Sequence, residues 1–298
     1  MMDYKEYKEF MMNNLQQRFG DSVEISIVEV NRRNDTKREA MMLKSAGLSP
    51  VIYLDGLYEE YQQKKDPYNG VDWCISKFAG TESAEGWNIS LDWEDIRPRI
   101  KIRLMGKERN REYLQDKIYV EMMDLAAVLT IILKYDEEGE ASMPIPIWLP
   151  EACGYDRAAF EEAAWENLRK EKFTIQSIEK VLMELFAEDL EEEDMLEEIP
   201  DTGIYVMTNE WRLFGARAMC RKDMLGAFAE EIGRNLYIIP CSMHELILVK
   251  DDGSAPADEI KEIVQDVNGN SGVIGAEEIL SDSVYYFDRK TGEIRIVA

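Results

Sequence analysis

The sequence predicts an α+β protein with antiparallel sheets, packed helices and two subdomains. Short segments of period-two alternation outnumber helical segments, and turns too short for a parallel crossover join most of them. No repeat of fixed period runs along the chain. Its 298 residues with 45% hydrophobic side chains suffice for about two compact cores.

Taken in order, Tyr7, Phe10, Met11, Leu15 and Phe19 recur at three- and four-residue spacing before Gly20, predicting an amphipathic helix over residues 3–19. Val23, Ile25 and Ile27 then alternate with polar residues, 31–37 is a polar turn, and 39–44 returns as the partner strand. Val51–Leu54 reads as a strand, with Asp55 as N-cap of a helix over Leu57–Lys64. A helix over Val71–Phe78 would place Trp73 and Phe78 inward with Cys74 between them. Ile96–Leu104 alternates as a strand, the apolar stretch Val120–Leu133 reads as helix, and Pro144 and Pro146 keep Met143–Trp148 extended. Asp156–Lys170 is helical with Phe160, Ala163, Ala164 and Leu168 on one face, followed by strand Phe173–Ile178 and helix Glu179–Phe186.

The acidic run Glu188–Glu198 and the turn Pro200-Asp201-Thr202-Gly203 suggest a boundary, giving regions 1–199 and 200–298. Beyond it the pattern predicts strands Ile204–Thr208 and Leu213–Ala218, helix Lys222–Ile232, and strands Leu236–Ile239 and Leu246–Lys250. Helix Ala257–Val267 and a hairpin of Val284–Asp288 with Glu293–Val297 complete the chain.

The chain carries 35 basic and 60 acidic side chains, a net charge of −25. That charge argues against direct nucleic-acid binding, because most of the surface would repel a polyanion. Residues 1–112 are nearly balanced, with 18 basic against 20 acidic, and the remainder carries 17 against 40. The first residues are charged, with no apolar core of a signal peptide, and no uncharged run approaches the roughly 20 residues of a membrane span. Four dispersed cysteines without a CxxC pair suit reduced thiols, so a cytoplasmic protein without a membrane role is expected.

Several motifs resemble one family. Ile204-Tyr205-Val206-Met207-Thr208-Asn209, Leu213-Phe214-Gly215-Ala216, Leu236–Pro240 followed by Ser242-Met243-His244-Glu245, and Leu280–Asp288 are similar to an uncharacterised family of Gram-positive gut bacteria, domain of unknown function 5688. Asp124–Val128 and Arg97–Leu104 fit the same pattern, so the resemblance covers most of the chain. It implies no activity, cofactor or catalytic residue. Where related sequences tend to carry serine, this chain has Cys241, so the resemblance does not carry thiol chemistry.

On a strand, Arg97, Arg99, Lys101 and Arg103 would share one face opposite Ile100, Ile102 and Leu104, with Lys107, Arg109 and Arg111 extending the positive segment. Guanidinium groups in a row can bind phosphates or a partner's carboxylates. The alternative is a solvated face, or one neutralised by the protein's own acidic residues. Cys241, His244 and Glu245 form the cluster with catalytic residue types, a thiol beside an imidazole after Pro240. No oxyanion-hole glycines flank it, and a sole His commonly caps a turn.

One His and no HExxH or paired CxxC predict no metal site, and Asp251-Asp252-Gly253-Ser254 lacks the remaining ligands of a calcium loop. Gly269, Gly272 and Gly275 follow a helix instead of a strand and predict no nucleotide loop, so no cofactor is expected. Trp73, Phe78, Trp87 and Trp93 could line a pocket or complete a core. These observations favour a binding or interaction protein without catalytic activity, with a protein as possible partner. The alternatives are a hydrolase or transferase using Cys241 and His244, or a phosphate-ligand-binding protein using Arg97–Arg103.

Overall fold

A computed structural model describes residues 1–20, 23–44, 51–82, 92–136, 139–186, 201–240, 242–253, 256–270 and 274–298. The chain divides into two compact units, Met1–Ser90 and Leu91–Ala298. The architecture is α+β and the strands of every sheet pair antiparallel.

The first unit opens with α1 (Tyr4–Phe19), whose start is fixed by a capping box: the Asp3 carboxylate accepts from Glu6 N, and Glu6 Oε2 accepts from Asp3 N. The hairpin of β1 (Glu24–Asn31) and β2 (Lys37–Lys44) follows, and β3 (Val51–Tyr53) adds to β2, giving the order β1-β2-β3. Two helices, α2 (Leu54–Lys64) and α3 (Tyr68–Glu82), complete the unit. Tyr7, Met11 and Leu15 of α1 are fully buried with Met41, Leu43, Leu54 and Cys74. The expected cap at Asp55 is corrected: α2 begins at Leu54 after Tyr53, and Asp55 sits in its first turn, paired with Arg38 at 3.2 Å. Trp73 is exposed, and α3 turns Val71 and Cys74 inward instead, because consecutive helical positions point about 100° apart.

The second unit starts with the short α4 (Trp93–Ile96), which runs into a 3-10 turn at Arg97–Arg99 before β4 (Ile100–Gly106). The strand expected from residue 96 therefore begins four residues later. Pro98 locks its φ and donates no backbone hydrogen bond, which suits the turn and not a sheet interior.

A second correction concerns Val120–Leu133, which is not a helix. It forms the hairpin of β5 (Tyr119–Met122) and β6 (Leu125–Asp136), turning at Met123, whose φ is 58°. β6 lies between β4 on one edge and β5 and β7 (Gly139–Pro144) on the other. Leu125 to Ile131 are buried on both faces, so a central strand shows no alternation and reads as a uniform apolar run.

After the short α5 (Leu149–Ala152) comes α6 (Arg157–Lys170), capped by Asp156 and burying Phe160, Ala163, Ala164 and Leu168 as expected. β8 (Phe173–Ser177) and α7 (Ile178–Phe186) follow. Then come β9 (Ile204–Asn209), α8 (Lys222–Ile232), β10 (Leu236–Ile239), β11 (Leu246–Lys250), α9 (Ala257–Gly269), β12 (Tyr285–Asp288) and β13 (Glu293–Ile296). These strands form a six-stranded sheet in the order β13-β12-β10-β11-β9-β8.

The acidic run where a boundary was expected lies outside the described residues, but β8 before it and β9 after it are paired neighbours. The division falls at residue 90 instead. The strand expected at Leu213–Ala218 is also corrected: Gly215–Cys220 is a 3-10 helix, entered through Phe214 at φ 54°.

One core joins both sheets of the second unit. Ile100, Ile102, Leu104, Leu129 and Ile131 of the four-stranded sheet share it with Leu236, Ile238, Leu246, Leu248, Tyr285 and Phe287 of the six-stranded sheet. The turn between β5 and β6 contributes Asp124, whose carboxylate accepts from Ser281 Oγ at 2.7 Å, Ser283 Oγ at 3.0 Å and the Tyr285 hydroxyl. Gly106 meets the same segment, since a Cβ there would stand 2.6 Å from the Leu280 carbonyl oxygen.

Candidate functional site

The cationic row is dispersed by the fold. Arg97 pairs with Glu166 at 2.8 Å, while Lys101 lies 3.7 Å from Glu171. Arg103 is buried, paired with Glu140, with its guanidinium carbon 3.7 Å from the centre of the Phe214 ring. Arg99 is exposed, and among the described residues no ion pair holds it. The neighbouring Lys107 and Arg109 pair with Glu121 at 3.0 Å and Asp282 at 2.6 Å. Internal carboxylates thus take up most of this positive charge.

Arg99 opens onto a cleft of about 530 Å³ whose cations arrive from separate elements: Arg99 from the turn before β4, Lys101 from β4, and Lys170 and Lys172 from the junction of α6 with β8. Asn167 of α6 holds the first edge by donating to the carbonyls of Arg97 at 2.7 Å and Ile100 at 2.9 Å. Arg221 holds the junction, its Nη1 reaching the carbonyls of Leu168, Arg169 and Glu171, each at 3.3 Å, where α6 ends. Trp211, 61% exposed, also lines the cleft, from the turn after β9.

The cleft floor is a buried ion pair. Arg217 Nε reaches Glu171 Oε1 at 3.1 Å and Oε2 at 2.9 Å, and Arg217 Nη2 also donates to Oε1. Asn209 Nδ2 adds a bond of 3.3 Å to the same carboxylate. Burial raises the Glu171 pKa, but hydrogen bonding to Arg217 and the nearby positive charges of Arg217 and Lys101 outweigh it, leaving a net shift downward. Glu171 is therefore an ionised anchor for Arg217 and Lys101. Among the described residues no ion pair within 4 Å holds Arg99, Lys170 or Lys172, although Lys170 lies near enough to Glu166 to favour its ionised form and Glu210 lines the same cleft.

The turn carrying Trp211 is locked by Asn209, whose Oδ1 accepts from Trp211 N at 3.2 Å and Leu213 N at 3.1 Å, while its Nδ2 donates to Leu213 O at 2.9 Å. Gly215 follows, where a Cβ would meet Thr208 Oγ1 at 2.2 Å and the His244 carbonyl oxygen at 2.5 Å. The Thr208 hydroxyl itself donates to that carbonyl at 2.8 Å.

His244 is drawn into this packing. Its Nδ1 accepts from Phe214 N at 3.3 Å, its Nε2 lies 3.6 Å from Glu278 Oε1, and its ring tilts against Phe214 at 5.4 Å. Ser242 Oγ accepts from the His244 backbone N at 3.0 Å, making the local turn. Cys241 lies outside the described residues, and Glu245 lines a second, apolar pocket with Ser242, His244 and Glu278.

Trp93 stacks on Tyr155 at 4.4 Å and packs on Phe160 at 5.0 Å in the second unit, Trp73 is in the first, and Trp87 and the Phe78 side chain lie outside the described residues. Gly272 and Ser254 lie outside them too, and Gly253 at φ 79° donates its N–H to Asp251 at 3.2 Å in an ordinary Asx turn. Among the described residues, no group of three or more His, Cys, Asp or Glu side chains could hold a metal ion, and no helix is long and apolar enough to cross a membrane.

Lys170, Lys172, Asn209, Trp211 and Arg217 were not singled out from the sequence. The available signals were Arg169-Lys170-Glu171-Lys172 at a helix-to-strand junction and a tryptophan inside the polar turn Asn209–Arg212.

The model of a family of unknown function matches residues 4–289 of the chain. No curated protein and no solved structure matches it.

Proposed function

The chain belongs to the family of unknown function DUF5688, and we propose that it is a non-catalytic binding protein whose cleft takes a phosphate-bearing small molecule. The carrying observation is the convergence of Arg99, Lys170 and Lys172, without described ion-pair partners, on one cleft of a protein with net charge −25. Acidic proteins gain little from concentrating unpaired cations unless an anion occupies the space between them. The volume suits a small ligand, Arg99 and the lysines suit phosphate oxygens, and Trp211 offers an aromatic face at the rim.

His244 serves the fold and not turnover. Its Nδ1 already accepts a backbone N–H and its Nε2 faces Glu278, an arrangement that orders a turn. A cytoplasmic location fits the free thiols of Cys74, Cys153 and Cys220. Burial pushes the Cys74 and Cys220 thiols up to about 12, so neither is a ready nucleophile at neutral pH.

The test is thermal unfolding with inorganic pyrophosphate. Occupancy at about 100 times the dissociation constant stabilises the native state by about 2.7 kcal/mol, which raises the transition of residues 91–298 by several degrees. Sulfate at equal ionic strength should shift it less, and no difference between the two would count against the reading.

A further inference from the structure

The six-stranded sheet has a second face, away from the core shared with β4 and β6. Alternation sends Leu236 and Ile238 of β10, and Leu246 and Leu248 of β11, into that shared core. Their neighbours Tyr237, Ile239, Ile247 and Val249 point the other way, toward Ile260 and Val264 of α9. The helix does not close over them. Between α9 and the strands lies a cavity of about 660 Å³ lined by Ile204, Ile239, Ile247 and Val249 of the strands, by α9, and by Ile274 from the segment after α9. Ile263 of α9 lines the same cavity yet is 64% exposed, which puts its mouth in solvent.

One end of the cavity is polar. Ser242, His244 and Glu245, from the connection between β10 and β11, meet Glu278 there. Main-chain bonds hold the two segments together: Met243 N donates to Glu278 O at 2.9 Å, and Ser242 bridges to Ile279. No Lys or Arg is among the described lining residues, so two carboxylates face the pocket opposed only by the imidazole near Glu278.

We propose that this cavity is a second binding site, taking a small amphiphile with an aliphatic body and a primary ammonium head. The body fills the aliphatic space between α9 and the sheet, and the head donates to Glu245 and Glu278 at the polar end. Both halves rest on lining chemistry: a volume within the range of small-molecule sites and too small for a folded partner element, and an unbalanced negative charge at one end only. A fatty acid fits the body but sets a carboxylate against two carboxylates. The site is separate from the cationic cleft, with which it shares no lining residue.

The experiment is calorimetric titration of the full chain with decylammonium, decanoate, 1-decanol and butylammonium, all below micellar concentrations. Decylammonium should saturate one site and bind about tenfold tighter than decanoate, the ratio expected from one charge-assisted contact, with butylammonium not binding at the same concentrations. Ile247→Trp, which fills the cavity, should abolish binding with thermal unfolding retained. Glu245→Gln with Glu278→Gln, both on the accessible end, should bring decylammonium close to 1-decanol. Equal affinity for decanoate overturns the proposal. So does unsaturable decylammonium binding that survives Ile247→Trp, since that is attraction to the acidic surface alone.

Discussion

Gly215 shows how one residue fixes the wall of the cleft. A methyl group there would lie 2.2 Å from Thr208 Oγ1, 2.5 Å from the His244 carbonyl oxygen and 2.9 Å from Asn209 N, two of them backbone atoms that cannot swing aside. Gly215→Ala should therefore cost about 1–3 kcal/mol, measured by denaturant unfolding. Gly56, inside α2 with nothing within 4 Å of its hypothetical Cβ, is the opposite case. Gly56→Ala should stabilise by about 0.4–1 kcal/mol through the unfolded chain. Glu171 gives the pH dependence at this scale. Because its native pKa lies below the ordinary glutamate value, its contribution is fully present above that value and is lost as pH falls through the lowered one. Stability measured from pH 6 downward should fall less steeply in Glu171→Gln than in the parent, although the variant starts lower because Arg217 loses its anion. Equal slopes would show that the Glu171 pKa is the same in the folded and unfolded chain, contradicting its lowered native value.

At the scale of elements, legibility followed how much of each segment faces water. The helix at residues 4–19 was legible because it has one buried stripe and ends at Gly20, and the terminal hairpin because its turn carries a glycine. β6 was not, since a strand covered on both faces and both edges loses the alternation that identifies strands. Leu213–Ala218 misled differently: bonds from Asn209 and His244 hold Leu213 and Phe214 in a turn that leads into the 3-10 helix at Gly215, which no local pattern encodes. The cleft was half legible. Arg99 and Lys101 lay in the row the sequence displayed, whereas Lys170 and Lys172 join them only when α6 packs on β4, and Trp211 only when β8 pairs with β9. The β5–β6 turn makes its own prediction. Asp124→Ala strands the hydroxyls of Ser281, Ser283 and the fully buried Tyr285, and should cost about 1–3 kcal/mol for each group left unpaired. Adding Tyr285→Phe removes one stranded hydroxyl, so the double variant should be less destabilised than the sum of the singles; strict additivity would contradict the network.

For the whole molecule, two compact units with their own cores should unfold as two transitions, one moved by Gly56→Ala and the other by Gly215→Ala. A single transition moved by both would contradict the division at residue 90. The charge of the molecule is as uneven as its stability: carboxylates dominate the composition, and most cations of the 97–111 segment are spent on internal pairs. The exception is the cleft of Arg99, Lys170 and Lys172, and the functional account depends on it. The decisive measurement is calorimetric titration of pyrophosphate into the protein at low and moderate salt, beside the variant Arg99→Ser, Lys170→Ser, Lys172→Ser. The parent should bind saturably and more weakly as salt rises, and the variant should lose that binding with its unfolding unchanged. No binding by the parent, or equal binding by both proteins, would contradict the proposal.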